Sequence, residues 1–557
     1  GGGVGAVQVV ERKERAVSGG CCGDGVVEKE IRLQGCEGVL ELDRLPYARS
    51  SAAYGEGARA VVRHLSETNG AVHHGACAHW MSAATSLAIR LARKQASAIM
   101  FGTPDYAKHI AFLPSNKHAF TIIADATTSL SHSSLNSSAS SIVTTALERD
   151  DGVDAWEAAI AQIDSTAKLV VVPLLNQSSP SGNPSNAIRR RRRRSRVDDD
   201  VGVMSLASGE LVSASEILAS ATRPGTVLIS LALASEALGA CTLKTDALHK
   251  LLSLLRDSAN GALVMLDARA AHFELRCSGG IDGEARCAAI QNETAQVLGS
   301  LVERDLVDFV LCDARSLAAA PAELAVLYTS TRMNEVVRPI SSGGNVLNNV
   351  ALDSNAFNTV APVPMMMPLP ERLEAGGEPP TMQIVALGAA LNARSVPHIT
   401  ESRVSYQENI AWCRAIVARL REMRARVHVL CEHTQGCDPN VIAPLPSVSF
   451  YCVDATGKRA VGGATAALCR ALKERHGIYT RLDALRGARL LRSALKLDSG
   501  EDKSKSEGDF SMDENWVVTV TPPDVPGIAG GAVASKNFLQ DAIERVAAAI
   551  ADESVRL

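Results

Sequence analysis

The sequence predicts an α/β protein: a mostly parallel sheet covered on both faces, with a smaller α+β unit towards the C-terminus. Three observations carry this. Short apolar runs such as "AKLVVVPLL", "GALVMLDA" and "VDFVLCDA" alternate with segments of helical apolar spacing. These runs are apolar throughout rather than every second residue, as strands buried on both faces must be. After Met382 the order changes to two helices, then strand, helix, strand and a closing helix.

Taken in order, "GARAVVRHLSE" and "WMSAATSLAIRLARKQ" have helical spacing, and "ASAIMFG" and "AFTIIADA" read as short buried strands. "WEAAIAQI" is a helix and "AKLVVVPLL" a strand rich in β-branched residues. "DALHKLLSLLRDSA" is an amphipathic helix feeding the strand "GALVMLDA". "CAAIQNETAQVLGSLVERD" is a helix, and "VDFVLCDA" and "LAVLYTS" are strands. Beyond Met382, "QIVALGAALN" and "QENIAWCRAIVARLREMRA" are helices. "PSVSFYCVD", "TAALCRALKERHG" and "NWVVTVTPP" give strand, helix and strand, and "LQDAIERVAAAIADE" is the closing helix.

This divides the 557 residues into an N-terminal extension (1–37), a large domain (38–350) with an insertion at about 185–242, an interdomain link (351–382) and a small domain (383–557). A charged loop at 498–509, "DSGEDKSKSEGD", has too little apolar surface to fold. The insertion opens on an arginine run, Arg189, Arg190, Arg191, Arg192, Arg193, Arg194 and Arg196, a candidate contact for RNA phosphates. The acids Asp198 to Asp200 beside it make a solvated, partly neutralised loop the alternative.

The net charge of −4 is too small for wholesale attraction to nucleic acid or membrane, and no apolar run is long enough to span a bilayer. The 13 cysteines are odd in number and irregularly spaced, which argues for free thiols in a reducing intracellular compartment rather than a disulfide framework. Cys431, His433 and Cys437 match no common zinc spacing, so no metal is expected.

The ordered motifs resemble a known family. "NGAVHHGACAH" resembles "NANVHRGVH", "AKLVVVPLLNQSSPSGNP" resembles "TKLVAVTHVSNVLGTVNP", and "GALVMLDARAA" resembles "ALVLVDGAQAA". "PERLEAGGEPPTMQIVALGAAL" is similar to "PERFEAGTPNIAGIIALGAAL". In this order, over residues 39–550, they resemble the class V aminotransferases of fold type I, in the cysteine desulfurase and selenocysteine lyase branch. The resemblance implies a PLP-dependent transferase-like large domain and a small C-terminal domain.

It also implies a pyridoxal phosphate (PLP) site, and there the sequence departs. "DFVLCDARSL" set against the family's "DFLAFSGHKL" puts Ser316 at the Schiff-base lysine. A hydroxyl cannot form that imine, and the delocalised, protonated guanidinium of Arg315 is no substitute. From Leu251 to Gly457 there is no lysine at all. Asp267 matches the acid that pairs with the pyridine nitrogen, and Ala270 replaces the glutamine three residues on. His132 is a candidate for the ring-stacking histidine and Asn176 for the asparagine beside the ring. Gly102 and Thr103 begin the matched phosphate cradle, but Pro104 has no N–H to donate and Asp105 adds negative charge. "YTRLDALRG" lacks the persulfide cysteine, and "NWVVTVTPP" lacks the carboxylate-binding arginine.

The expectation is a desulfurase-like pseudoenzyme with no cofactor, acting as a structural or docking subunit with protein partners. RNA contact through Arg189–Arg196, a mitochondrial-matrix ribonucleoprotein home, homo- or heterodimer formation and no membrane association complete it. Two alternatives stand beside this. One is a divergent PLP-dependent desulfurase, lyase or aminotransferase that holds its cofactor non-covalently or draws its amine from Lys244, Lys250 or Lys458; the other is an inactive partner of an active paralogue.

Overall fold

The computed structural model describes residues 40–42, 51–68, 80–133, 140–163, 166–175, 211–258, 261–271, 273, 293–318, 323–334, 336–337, 347–348, 365–366, 370–374, 380–395, 406–430, 446–455, 460, 463–483, 489–494, 517–520 and 531–556. The main sheet has seven strands, numbered here along the chain. Their order is β2 (Ile110–Leu113), β10 (Ala325–Thr329), β9 (Phe309–Asp313), β8 (Leu263–Asp267), β5 (Thr226–Ala232), β3 (Ser141–Thr145) and β4 (Lys168–Val172). β4, β3, β5, β8 and β9 pair in parallel. β10 is antiparallel to both β9 and β2, so β2 again runs with the parallel set.

A second sheet orders β1 (Leu40–Leu42), β15 (Ile478–Asp483), β16 (Val517–Val520), β14 (Val448–Cys452) and β13 (Val427–Val429). Two short ribbons, β6 (Ala234–Ser235) with β7 (Ala240–Cys241) and β11 (Leu347–Asn348) with β12 (Met365–Met366), complete the strands among the described residues. β1 pairs in parallel with β15, so this early strand joins the C-terminal sheet.

Side chains alternate across the main sheet with period two. Ile142, Leu228, Met265, Phe309, Leu311 and Leu327 face the helices Asn116–Ser133 and Asp150–Ile163, where Phe120 and Trp156 are buried. Val143, Ile229, Val264, Leu266, Val310 and Val326 face the other way, against the helices Trp80–Phe101, Thr245–Ser258 and Glu293–Glu303. Both faces are covered by helices, which explains the continuous apolar runs.

Three local expectations are corrected. "ASAIMF" closes the helix Trp80–Phe101, and "AFTIIADA" lies inside the helix Asn116–Ser133. The strand between them is "IAFL", β2. A short buried apolar run has the same appearance in a helix covered on all sides as in a strand, so periodicity alone cannot separate them. Of the segment 185–242 read as an insertion, residues 211–242 hold the helix Ala214–Ala221 and β5, which pairs with both β3 and β8. That part is integral to the sheet.

Candidate functional site

In an open α/β sheet, ligands bind beyond the carboxyl ends of the strands. At that edge Thr144 of β3, Ser230 of β5, Asp267 at the end of β8 and Asp313 at the end of β9 continue the face that packs on Phe120 and Trp156. All four are polar where the rows beneath them are apolar.

Asp267 is 3% exposed, and its carboxylate is taken by Arg269. Arg269 Nε donates to Oδ1 at 2.9 Å and to Oδ2 at 3.0 Å, Nη2 donates to Oδ2 at 2.6 Å, and the Arg269 backbone N–H reaches Oδ1 at 3.0 Å. The same guanidinium bridges to Asp151, at the start of the helix Asp150–Ile163, at 2.5 and 3.2 Å. It lies 4.8 Å from the Phe120 ring centroid. Burial opposes the charge on Arg269, but the Asp267 and Asp151 carboxylates outweigh it and raise the guanidinium pKa. Burial would raise Asp151 too, and Arg269 overcomes it and holds that carboxyl low.

Glu148 lies directly behind this pair and is fully buried. Ser230 Oγ donates to its Oε2 at 2.5 Å, Thr144 Oγ1 at 3.0 Å and Trp156 Nε1 at 3.4 Å, while Oε1 has no partner. Burial, then repulsion from Asp267, pushes its pKa from 4.5 up to about 6. Gly152 packs against it so closely that an added Cβ would stand 2.6 Å from Oε1.

Ser316, at the position matched to the lysine, belongs to the short helix Ala314–Ala318. Asp313 Oδ1 accepts the Ser316 N–H at 2.6 Å, and Ser316 Oγ accepts the Asp313 N–H at 3.3 Å. This is a reciprocal capping arrangement, with Asp313 as cap and Ser316 three residues on. Ser316 Oγ also donates to the Asp313 carbonyl at 2.9 Å, so the hydroxyl is committed to its own turn. Burial raises the Asp313 pKa, and the Ser316 N–H works against that rise. Arg315 points away and pairs with exposed Glu323 at 3.1 Å.

The other matched residues do not assemble around Asp267. His132 lies in the last turn of the helix Asn116–Ser133, which starts after β2 and returns towards the beginning of β3. It therefore sits at the amino edge of the sheet, opposite Asp267. Gly102 and Thr103 precede β2 and sit at that same amino edge; Thr103 caps the 3-10 turn Pro104–His109. The helix that opens at the carboxyl edge is Asn116–Ser133, so the sequence match was displaced by one element. Asn176 and Arg189–Arg196 lie outside the described residues, as does Lys458. Lys250 is on the helix Thr245–Ser258 and Lys244 directly precedes it, on the opposite face of the sheet.

Sequence reasoning missed Arg269, Asp151, Glu148 and Lys117. Among the described residues, Lys117 is the lysine at the carboxyl edge on the face of Asp267, in the first turn of the helix Asn116–Ser133, where it is exposed. The signal for Arg269 was the Asp-Ala-Arg spacing at a strand end. Cys469, half-buried on the helix Ala464–His476, has its thiol 3.1 Å from Thr480 Oγ1.

Comparison with solved structures matches nearly the whole chain. The apo cysteine desulfurase of Thermococcus onnurineus NA1 superposes with a TM-score of 0.56 at 16% identity, over 91% of this chain and 94% of that one. The fold is that of the cysteine desulfurases. Cysteine desulfurase CsdA (S-sulfonic acid) from Escherichia coli gives 0.55 at 16% identity, over 92% and 95%. A mutant C-DES with a lysine replaced by alanine, and with glycine covalently linked to its PLP cofactor, gives 0.54 at 14% identity, over 92% and 97%. No family model and no curated protein matches the sequence.

These neighbours bear out the fold type I reading and correct one inference drawn from it. The expectation that no cofactor is bound rested on the missing lysine. The mutant C-DES lacks a lysine and is described with PLP linked to glycine, so loss of a lysine is not loss of the cofactor. What does not fit the desulfurase-like pattern is narrower. The Asp267 oxygens are already engaged by Arg269, and the hydroxyl of Ser316 is engaged by its own turn.

Proposed function

We propose that this chain uses the desulfurase-like fold as a pseudoenzyme, a structural or docking subunit of a larger assembly. The observation that carries the reading is the reallocation of two residues. Asp267 is bound to Arg269, and Ser316, in the matched lysine position, is bound into a capped turn. Both residues serve folding interactions in place of chemistry. The stretch from Leu251 to Gly457 without lysine supports the same view. An organellar ribonucleoprotein in the mitochondrial matrix is the home we propose, on the strength of the arginine run Arg189–Arg196.

A second reading is favoured by one specific observation. Lys117 stands at the edge and face of Asp267, and the mutant C-DES neighbour is described with PLP despite its replaced lysine. On this reading the chain is a divergent PLP-dependent lyase or desulfurase.

One experiment separates them. The full chain, purified and supplied with PLP, is assayed for sulfide and alanine release from cysteine, and reduced with borohydride for peptide mapping. The first reading expects no product, whether or not the protein takes up PLP, and co-purifying protein or RNA partners. Turnover, with cofactor trapped on the Lys117 peptide, would establish the second and end the first.

A further inference from the structure

The helix Asp150–Ile163 opens with two adjacent acids that face different parts of the molecule. Asp151 turns inward and binds Arg269, the partner of Asp267. Asp150 turns towards the C-terminal unit, where its Oδ1 accepts the backbone N–H of Arg489 at 2.7 Å. Arg489 opens the short helix Arg489–Ala494, and its Nη2 lies 2.7 Å from Glu157 Oε2 and 3.2 Å from Asp154 Oδ1. One turn of one helix thus holds both the charged pair at the sheet edge and a segment more than three hundred residues away in sequence. Leu491, 2% exposed, is packed into the apolar cluster that includes the main sheet, so the docking is seated as well as charged.

We propose that Asp150 and Asp151 form a two-sided joint that couples the docking of the helix Arg489–Ala494 to the Arg269–Asp267 pair. The two carboxylates are consecutive on a rigid helical backbone, so the first turn cannot follow one contact without moving the other. A ligand or partner that draws Arg269 away from Asp151 frees the start of the helix and loosens its hold on Arg489. By linkage the effect runs both ways: undocking Arg489 weakens the Arg269 bridge by the same factor.

The test is hydrogen–deuterium exchange by mass spectrometry on the full chain, comparing wild type with Asp151→Asn and Asp150→Ala. The Asp151 carboxylate bonds Arg269 and the Gly152 N–H rather than residues 489–494, so a purely local effect would leave their peptide unchanged. The joint predicts that Asp151→Asn raises exchange in the 489–494 peptide by about fivefold or more, the lower range of site-to-site coupling. It predicts that Asp150→Ala, which removes the acceptor of the Arg489 N–H, raises exchange in the 267–271 peptide. The β9–β10 peptides, 309–329, serve as the internal control. An unchanged 489–494 peptide in Asp151→Asn, an unchanged 267–271 peptide in Asp150→Ala, or equal rises in the control peptides would each overturn the proposal.

Discussion

Arg269 Nε stands 2.9 and 3.0 Å from the two oxygens of Asp267, with its side chain 1% exposed and that of Asp267 3% exposed. Burying two charges costs several kcal/mol each, and their attraction repays it only when every donor and acceptor is matched. Here the guanidinium spends Nε and Nη2 on Asp267 and its remaining reach on Asp151. The expected outcome of Arg269→Ala is a loss of about 3–5 kcal/mol, since two carboxylates are left beside each other without a cation. Urea unfolding followed by circular dichroism measures it. A loss below about 1 kcal/mol would mean that the pair contributes no more than a surface ion pair does.

Glu148 gives a pH signature of definite sign. Its folded pKa lies above its ordinary value, so the fold prefers the protonated acid. The stability this contributes is fully present below 4.5 and is lost as the pH rises through about 6. A rise from 4.5 to about 6 corresponds to roughly 2 kcal/mol. Glu148→Gln keeps the shape and removes the titration. It is therefore expected to gain on the wild type between pH 4.5 and 7.5, read as the difference between their urea midpoints at the two pH values. Asp151 titrates in the opposite sense in both proteins and cancels in that difference.

Much of the sheet was legible because its strands advertise themselves. "KLVVV", "LVMLD", "FVLCD" and "AVLYT" are apolar nearly throughout, and the helix Thr245–Ser258 has a clean apolar stripe. The edge at β2 was not legible. "ASAIMF" and "AFTIIADA" are small and apolar because both helices are buried between layers, and "IAFL" between them is only four residues long. That single slip carried the phosphate reading to Gly102 and Thr103, at the wrong edge. Asp267 was placed on the right strand, but its partner was not, because sequence spacing does not say which way an arginine turns. β3 and β5 were not read as strands at all, and Thr144 and Ser230 are unremarkable until the sheet brings them to the same carboxylate.

Gly299 tests the packing of the main sheet's outer helices. It lies in the helix Glu293–Glu303, and a Cβ there would stand 2.5 Å from the Phe101 carbonyl oxygen at the end of the helix Trp80–Phe101. The obstacle is backbone, which cannot swing aside. Alanine would ordinarily gain about 1 kcal/mol over glycine within a helix. The expected result of Gly299→Ala is instead a net loss of about 1–3 kcal/mol from overpacking, visible as a lowered melting temperature.

Returning an amine to position 316 asks whether one substitution could rebuild the desulfurase-like site. Ser316→Lys would remove the hydroxyl that accepts the Asp313 N–H and would bury an ammonium where the side chain is now 3% exposed. Asp313 is close enough to pair with it, so the variant has a route to folding that circular dichroism can check. The amine would still face an Asp267 saturated by Arg269, and the described residues bring no cysteine to that edge on that face. Ser316→Lys is therefore expected to release neither sulfide nor alanine from cysteine in the presence of PLP. If that variant turned over, the missing amine would be the whole of the defect, and Arg269 would be shown to yield Asp267 readily.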